Sequence, residues 1–97
     1  MRILSKSTLK AFWKDYPDSK TSLEAWHEEI LKADWATPQE VKAKFGNASI
    51  LKGNRVVFNI KGNDYRLIVK INYPYRVLYI CFIGTHSQYD AIDAETI

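Results

Sequence analysis

Four β-rich segments follow one another in the second half of this chain: ASIL, RVVFNI, DYRLIVKINY and RVLYICFI. The breaks between them are short. Gly53-Asn54 and Gly62-Asn63 suit two-residue hairpin turns, where glycine supplies positive φ, and Pro74 marks a third turn. Short turns of this kind join antiparallel neighbours, so this half reads as an antiparallel meander. If Gly62-Asn63 centres its hairpin, Asn59 pairs with Arg66 and Arg55 with Lys70. Alternation then puts Val56, Phe58 and Ile60 beside Leu67, Val69 and Ile71 on one face. The other face carries Arg55, Asn59, Arg66 and Lys70, with Val57 and Ile68 between them. The Pro74 turn brings Tyr79 and Cys81 onto this second face and Ile83 near Arg66.

The greasy face needs a cover, and the first half of the chain provides helices. Met1 to Leu4 reads as a short edge strand. Leu9, Phe12, Trp13 and Tyr16 follow the spacing of one helical face, and Pro17 stops that helix. Thr21 and Glu24 form a capping-box pattern ahead of a stripe of Leu23, Trp26, Ile30 and Leu31, with His27 at its border as a structural residue. Thr37, Pro38 and Glu40 announce a third, brief helix ending near Phe45 and Gly46. The fold class is α+β: an N-terminal helical hairpin packed on one face of an antiparallel sheet, with a short C-terminal helix. One domain spans 1–97.

Three Trp, six Tyr and four Phe are ample to fill such a core. The net charge is +3, but it is unevenly spread. Lys42 to Arg76 holds eight basic residues and one acidic, Asp64; the remainder holds six basic and ten acidic. A basic segment of this kind fits a phosphate backbone or an acidic partner, and equally a solvated sheet whose lysines discourage edge pairing. The lone cysteine, Cys81, permits no internal disulfide, MRILSKSTLK lacks a signal-peptide core, and no run is long and apolar enough to span a membrane. The expectation is a soluble cytoplasmic protein. There is no His/Cys/carboxylate cluster at metal spacing and no phosphate-binding glycine loop.

GTHSQYDAI, residues 84–92, ends the last strand. His86 follows that strand and belongs at the end of the sheet that holds Arg66 and Asn59, with Tyr89 and Asp90 one turn further on. An amide, a guanidinium, an imidazole and a phenol thus converge. Each has a plainer role available: Thr85 can cap a final helix with Gln88 as its third residue, Asn59 can cap a turn, and Tyr89 can be core.

FNIKGNDYRLIVKINY followed by VLYICFIGTHSQYDAI resembles the HigB family of bacterial toxins, within the RelE/ParE superfamily. Phe58 to Arg66 and Thr85 to Asp90 carry the resemblance most specifically, and it extends over nearly the whole chain. It implies a toxin neutralised by a helix-turn-helix antitoxin of the HigA type, touching operator DNA only through that antitoxin. It also implies an endoribonuclease that enters the decoding site of the ribosome and cuts messages through the RNA's own 2′-hydroxyl, without metal or cofactor. On that reading Arg66 holds the phosphate, His86 is general acid or base, and Tyr89 orients His86 or stacks on a base. Arg55, Asn59 and Lys70 bind RNA or phosphate, and Asp90 orients. The competing reading is a ParE-like gyrase poison or basic binding module without chemistry.

Overall fold

The computed structural model describes residues 1–97. Strand β1 (Arg2–Leu4) leads into α1 (Lys6–Asp15), a single 3₁₀ turn (Pro17–Ser19) and α2 (Lys20–Lys32). Then come α3 (Pro38–Lys44), β2 (Ser49–Ile50), β3 (Arg55–Ile60), β4 (Tyr65–Asn72), β5 (Val77–Thr85) and α4 (His86–Asp90). The sheet order is β1-β5-β4-β3-β2. β2 to β5 form the expected antiparallel meander, but β1 pairs parallel to β5 through Arg2–Val77, Ile3–Leu78 and Leu4–Tyr79. The sheet is therefore mixed. β1 is separated from β5 by three helices and the rest of the meander, so it is free of the hairpin constraint that forces the other neighbours antiparallel.

The β3–β4 register is the expected one, with Asn59 opposite Arg66 and Arg55 opposite Lys70. The turns are longer than two residues. Pairing ends at Ile60–Tyr65, and the left-handed residues are Lys61 and Gly62. In the β2–β3 turn Gly53 and Asn54 both take positive φ, and the Leu51 N–H donates to the Arg55 carbonyl.

The β4–β5 register departs from the expected one. Ile68 faces Phe82 but Val69 faces Ile80, so Cys81 is an extra residue in a β-bulge. Beyond it every β5 residue is displaced by one. Phe82, not Cys81, is opposite Ile68; Gly84, not Ile83, is opposite Arg66; Ile83 turns to the core face opposite Leu67.

The core lies between that face and the helices. Leu9 and Phe12 from α1, Leu23, Trp26 and Ile30 from α2, and Val41 from α3 pack with Val56, Phe58, Leu67, Val69, Ile71 and Leu78. Each fully buried aliphatic or aromatic side chain contributes about 1.5–3 kcal/mol. Phe58 meets Trp26 and Phe45 edge-on at 5.5 and 5.1 Å between ring centroids. Leu31 is not part of the stripe; it is exposed. Half-buried His27 has its pKa lowered, first by burial and then by Lys6.

The Thr21–Glu24 box does not form, because the Pro17 turn runs directly into α2 and moves the helix start back to Lys20. At α3, Thr37 and Pro38 take the cap and first positions, yet Thr37 makes no side-chain cap; the Glu40 carboxylate instead accepts the Ala36 N–H.

Asp18, in the 3₁₀ turn, fastens the helices to the β3–β4 turn. Its carboxylate accepts from Lys61 Nζ at 2.7 Å and from the Tyr65 hydroxyl at 2.5 Å. The Lys61 bond, then the Tyr65 bond, hold the Asp18 pKa below the usual carboxylate range. The same carboxylate raises Lys61 and pushes Tyr65 up to about 12. A depressed carboxyl stabilises the fold above its ordinary range and loses that contribution as pH falls through the folded value. Asp18→Asn is therefore expected to lower Tm by a few degrees at neutral pH, the exposed ion pair adding little. The gap should shrink below about pH 4, where wild-type Asp18 protonates as well. Circular dichroism melts from pH 3 to 8 check this; a gap independent of pH would contradict it.

Candidate active site

The chain brings together the expected residues at one end of the second face. Arg66 enters from β4 beside Asn59 of β3 and Gly84 of β5. Its Nη1 donates to the Asn63 carbonyl at 3.0 Å and to the Tyr65 carbonyl at 3.4 Å. Those bonds fix the guanidinium plane and leave Nε and Nη2 without a protein acceptor. The guanidinium carbon lies 6.0 Å from the centroid of the Tyr89 ring, so cation and ring share one surface.

Thr85 pairs with Tyr65 at the end of β5, and α4 begins at the next residue. The capping box at this point is complete: Thr85 Oγ1 accepts the Gln88 N–H at 3.2 Å, and the Thr85 N–H donates to Gln88 Oε1 at 2.8 Å. Thr85 thus has the structural role open to it in the sequence, and that cap fixes His86 as the first residue of the helix. His86 Nδ1 is 3.1 Å from Asp90 Oδ2, one turn along. An ionised carboxylate only accepts, so Nδ1 carries the proton in the neutral ring and Nε2 presents its lone pair to solvent.

Gly84 is needed for close approach. A Cβ there would lie 2.6 Å from the Phe82 ring and 2.8 Å from Gln88 Oε1. The Phe82 ring therefore extends over Gly84, beside Arg66 and under the α4 cap. Phe82 is the site residue that sequence reasoning missed, because the bulge at Cys81 was invisible in VLYICFI; the one signal was a glycine inside an otherwise bulky strand.

Lys70 and Arg55 do not join this cluster. They pair with each other at the far end of β3 and β4, four residues from Arg66 and about 13 Å away at the rise of a strand. Lys70 is exposed and reaches no protein partner. Arg55 Nε and Nη2 donate to the Ile97 main-chain oxygen, each at 3.1 Å. Residues 91–97 must then run from α4 back along the face, which explains why Val57 and Ile68 are buried although they lie outside the main core.

Three cations of the basic segment find carboxylates in space. Lys44 pairs with Glu29, Lys61 with Asp18 and Asp64, and Arg76 with Asp34. Lys42 donates to the Gly46 and Ala48 carbonyls. Lys42, Lys52, Arg55, Arg66 and Lys70 meet no side-chain carboxylate, and of these Lys52 and Lys70 have no protein partner. No three His, Cys, Asp or Glu side chains come together as metal ligands, and no helix is long and apolar enough to cross a membrane.

A mixed five-stranded sheet covered on one face by helices, with a short C-terminal helix, is consistent with a RelE-like fold. The chain belongs to the HigB toxin family, the RelE-like toxic component of a toxin–antitoxin system, whose description matches residues 19–92. It is similar to the mRNA interferase toxin HigB of Escherichia coli K12, 30% identical over 96 residues that cover 97% of this chain and 92% of the relative. The mRNA interferase HigB of Shigella flexneri matches with the same figures. That of Escherichia coli O6:H1 (strain CFT073) is 28% identical over 94 residues, covering 95% of this chain and 91% of the relative.

Proposed function

We propose that this toxin is an endoribonuclease that cuts messenger RNA on the ribosome in the cytoplasm and is silenced by a HigA-type helix-turn-helix antitoxin, through which alone it meets operator DNA. The observation that carries the reading is the His86–Asp90 pair on α4, the helix whose Tyr89 ring lies 6.0 Å from a guanidinium with a free outer edge. Relatives named mRNA interferase support the same class of reaction.

The chemistry follows from those groups. His86 Nε2 accepts the proton of a ribose 2′-hydroxyl, and the 2′-oxygen attacks the adjacent phosphorus. The bond from phosphorus to the 5′-oxygen breaks, leaving a 2′,3′-cyclic phosphate and a 5′-hydroxyl that takes up a proton. Extra negative charge builds on the phosphate oxygens meanwhile, and the free edge of Arg66 meets two of them. Tyr89 backs the guanidinium and can stack on a base. Asn59, across from Arg66, steadies that end of the face. Lys70 binds the backbone further along, and Arg55, occupied by Ile97, adds positive field. The nucleophile is supplied by the RNA, so the scheme needs no metal or cofactor. So few groups on an exposed surface gain from a second body that holds the strand in line, which is the reason to assign that task to the ribosome.

The test is primer extension on a reporter message after brief induction, with and without its start codon. Cuts inside the reading frame that vanish when translation is abolished are the expected result. Cuts that persist would remove the ribosome from the scheme. Growth arrest with DNA damage and intact messages would establish the gyrase-poison reading instead.

A further inference from the structure

The end of the open face remote from His86 carries a feature that the cleavage chemistry does not use. Tyr79, Lys70 and Arg55 stand level across β5, β4 and β3. Beside them opens a cavity of about 630 Å³ lined by Asn54, Lys70, Ile71, Asn72, Pro74 and Tyr79. Its size suits one small ligand, and no carboxylate lines it. The Lys70 ammonium is unpartnered. Tyr79 is 43% exposed, and Tyr75, on the adjoining turn, is 78% exposed. That turn is fixed, because Asn72 Oδ1 accepts the Tyr75 N–H at 3.3 Å. Single exposed rings are ordinary. The Tyr79 ring and a free ammonium on one cavity with no acidic side chain in its lining make a surface for a stacked, negatively charged group.

We propose that this cavity is a second nucleotide subsite for the same message, with a base stacked on Tyr79 and its phosphate on Lys70. The proposal rests on the nuclease reading. Buried Ile68 and residues 91–97 lie between the two ends, so a strand that joins them passes over that segment. Arg66 and Lys70 project from β4 to the same side, about 13 Å apart. On β5, Tyr79 is opposite Lys70, Gly84 is opposite Arg66, and Phe82 is opposite the intervening Ile68. Each end offers a cation with a ring near it, Arg66 with Tyr89 and Lys70 with Tyr79, which suits a phosphate and its base. At about 3.4 Å per stacked step the subsite lies within about four nucleotides of the cut. Asn54 and the Asn72 amide nitrogen offer hydrogen-bonding groups at the rim, so the base held there contributes to the choice of cutting position.

The experiment compares wild type, Tyr79→Ala, Tyr79→Phe and Lys70→Ala on purified ribosomes programmed with a defined message, measuring rate against ribosome concentration, cut positions and antitoxin binding. Tyr79→Ala and Lys70→Ala should each raise KM about tenfold, with a far smaller fall in kcat, and change the distribution of cuts. Tyr79→Phe keeps the ring and should restore a wild-type KM. Wild-type KM and cut positions in the alanine variants would overturn the subsite and leave the nuclease intact. The same result with weakened antitoxin binding would make the patch a protein interface. Failure of wild type to cut at all would overturn the nuclease reading itself.

Discussion

Replacing His86 by alanine is expected to lower message cutting about 10²- to 10⁴-fold, the range that a positioned acid–base group supplies. Stability should hardly change. The ring is exposed and fills no core space, and the helix it begins is capped by Thr85 and Gln88. Antitoxin binding should also survive, so a silent toxin would be a folded one. Asp90→Asn separates the proton from the position. It keeps the size of the side chain but removes the charge that holds the proton on Nδ1, and cutting should fall by a smaller factor, about tenfold. Primer extension on induced messages reads both variants, with thermal melts as the control for folding. Undiminished cutting by His86→Ala would move the chemistry to Arg66 or Tyr89.

The legibility of the site follows the range of the interactions that build it. Asn59 opposite Arg66 was readable because Gly62-Asn63 centres the hairpin even though pairing stops short of the turn. The Thr85–Gln88 cap was readable because both partners are four residues or fewer apart. The same pattern at Thr21–Glu24 misled, since a 3₁₀ turn from Pro17 had already begun the helix. The Cys81 bulge broke no alternation in VLYICFI, so Phe82 and Gly84 exchanged expected roles with Cys81 and Ile83. Long-range pairings were illegible. Arg55 reaches Ile97, and Lys61, Lys44 and Arg76 find acids in the helical half. A segment that looks like one basic patch along the chain loses three of its cations to acids in space and keeps Arg66 and Lys70 at the two ends of the second face.

Arg66 is one of those cations, and Arg66→Lys tests whether its shape matters beyond its charge. If Arg66 only adds positive field, lysine should preserve cutting, because the net charge is the same. The geometry argues otherwise. Nη1 is committed to the Asn63 and Tyr65 carbonyls, and the guanidinium carbon lies 6.0 Å from the centre of the Tyr89 ring, so the free Nε–Nη2 edge is held in place by the turn. Two parallel donors can follow a phosphate as its charge grows; a lysine that keeps the turn carbonyls has no second fork to offer. The expected loss is about 10²- to 10³-fold in kcat, that of removing one preorganised donor from a transition state. Arg66→Lys should then resemble Arg66→Ala more than wild type. Tyr89→Phe should stay near wild type if the ring alone supports the guanidinium, and Tyr89→Ala should not. Single-turnover cutting on programmed ribosomes measures all four. A lysine variant within about twofold of wild type would show that Arg66 acts through charge alone and leave the fork with no part in the reaction.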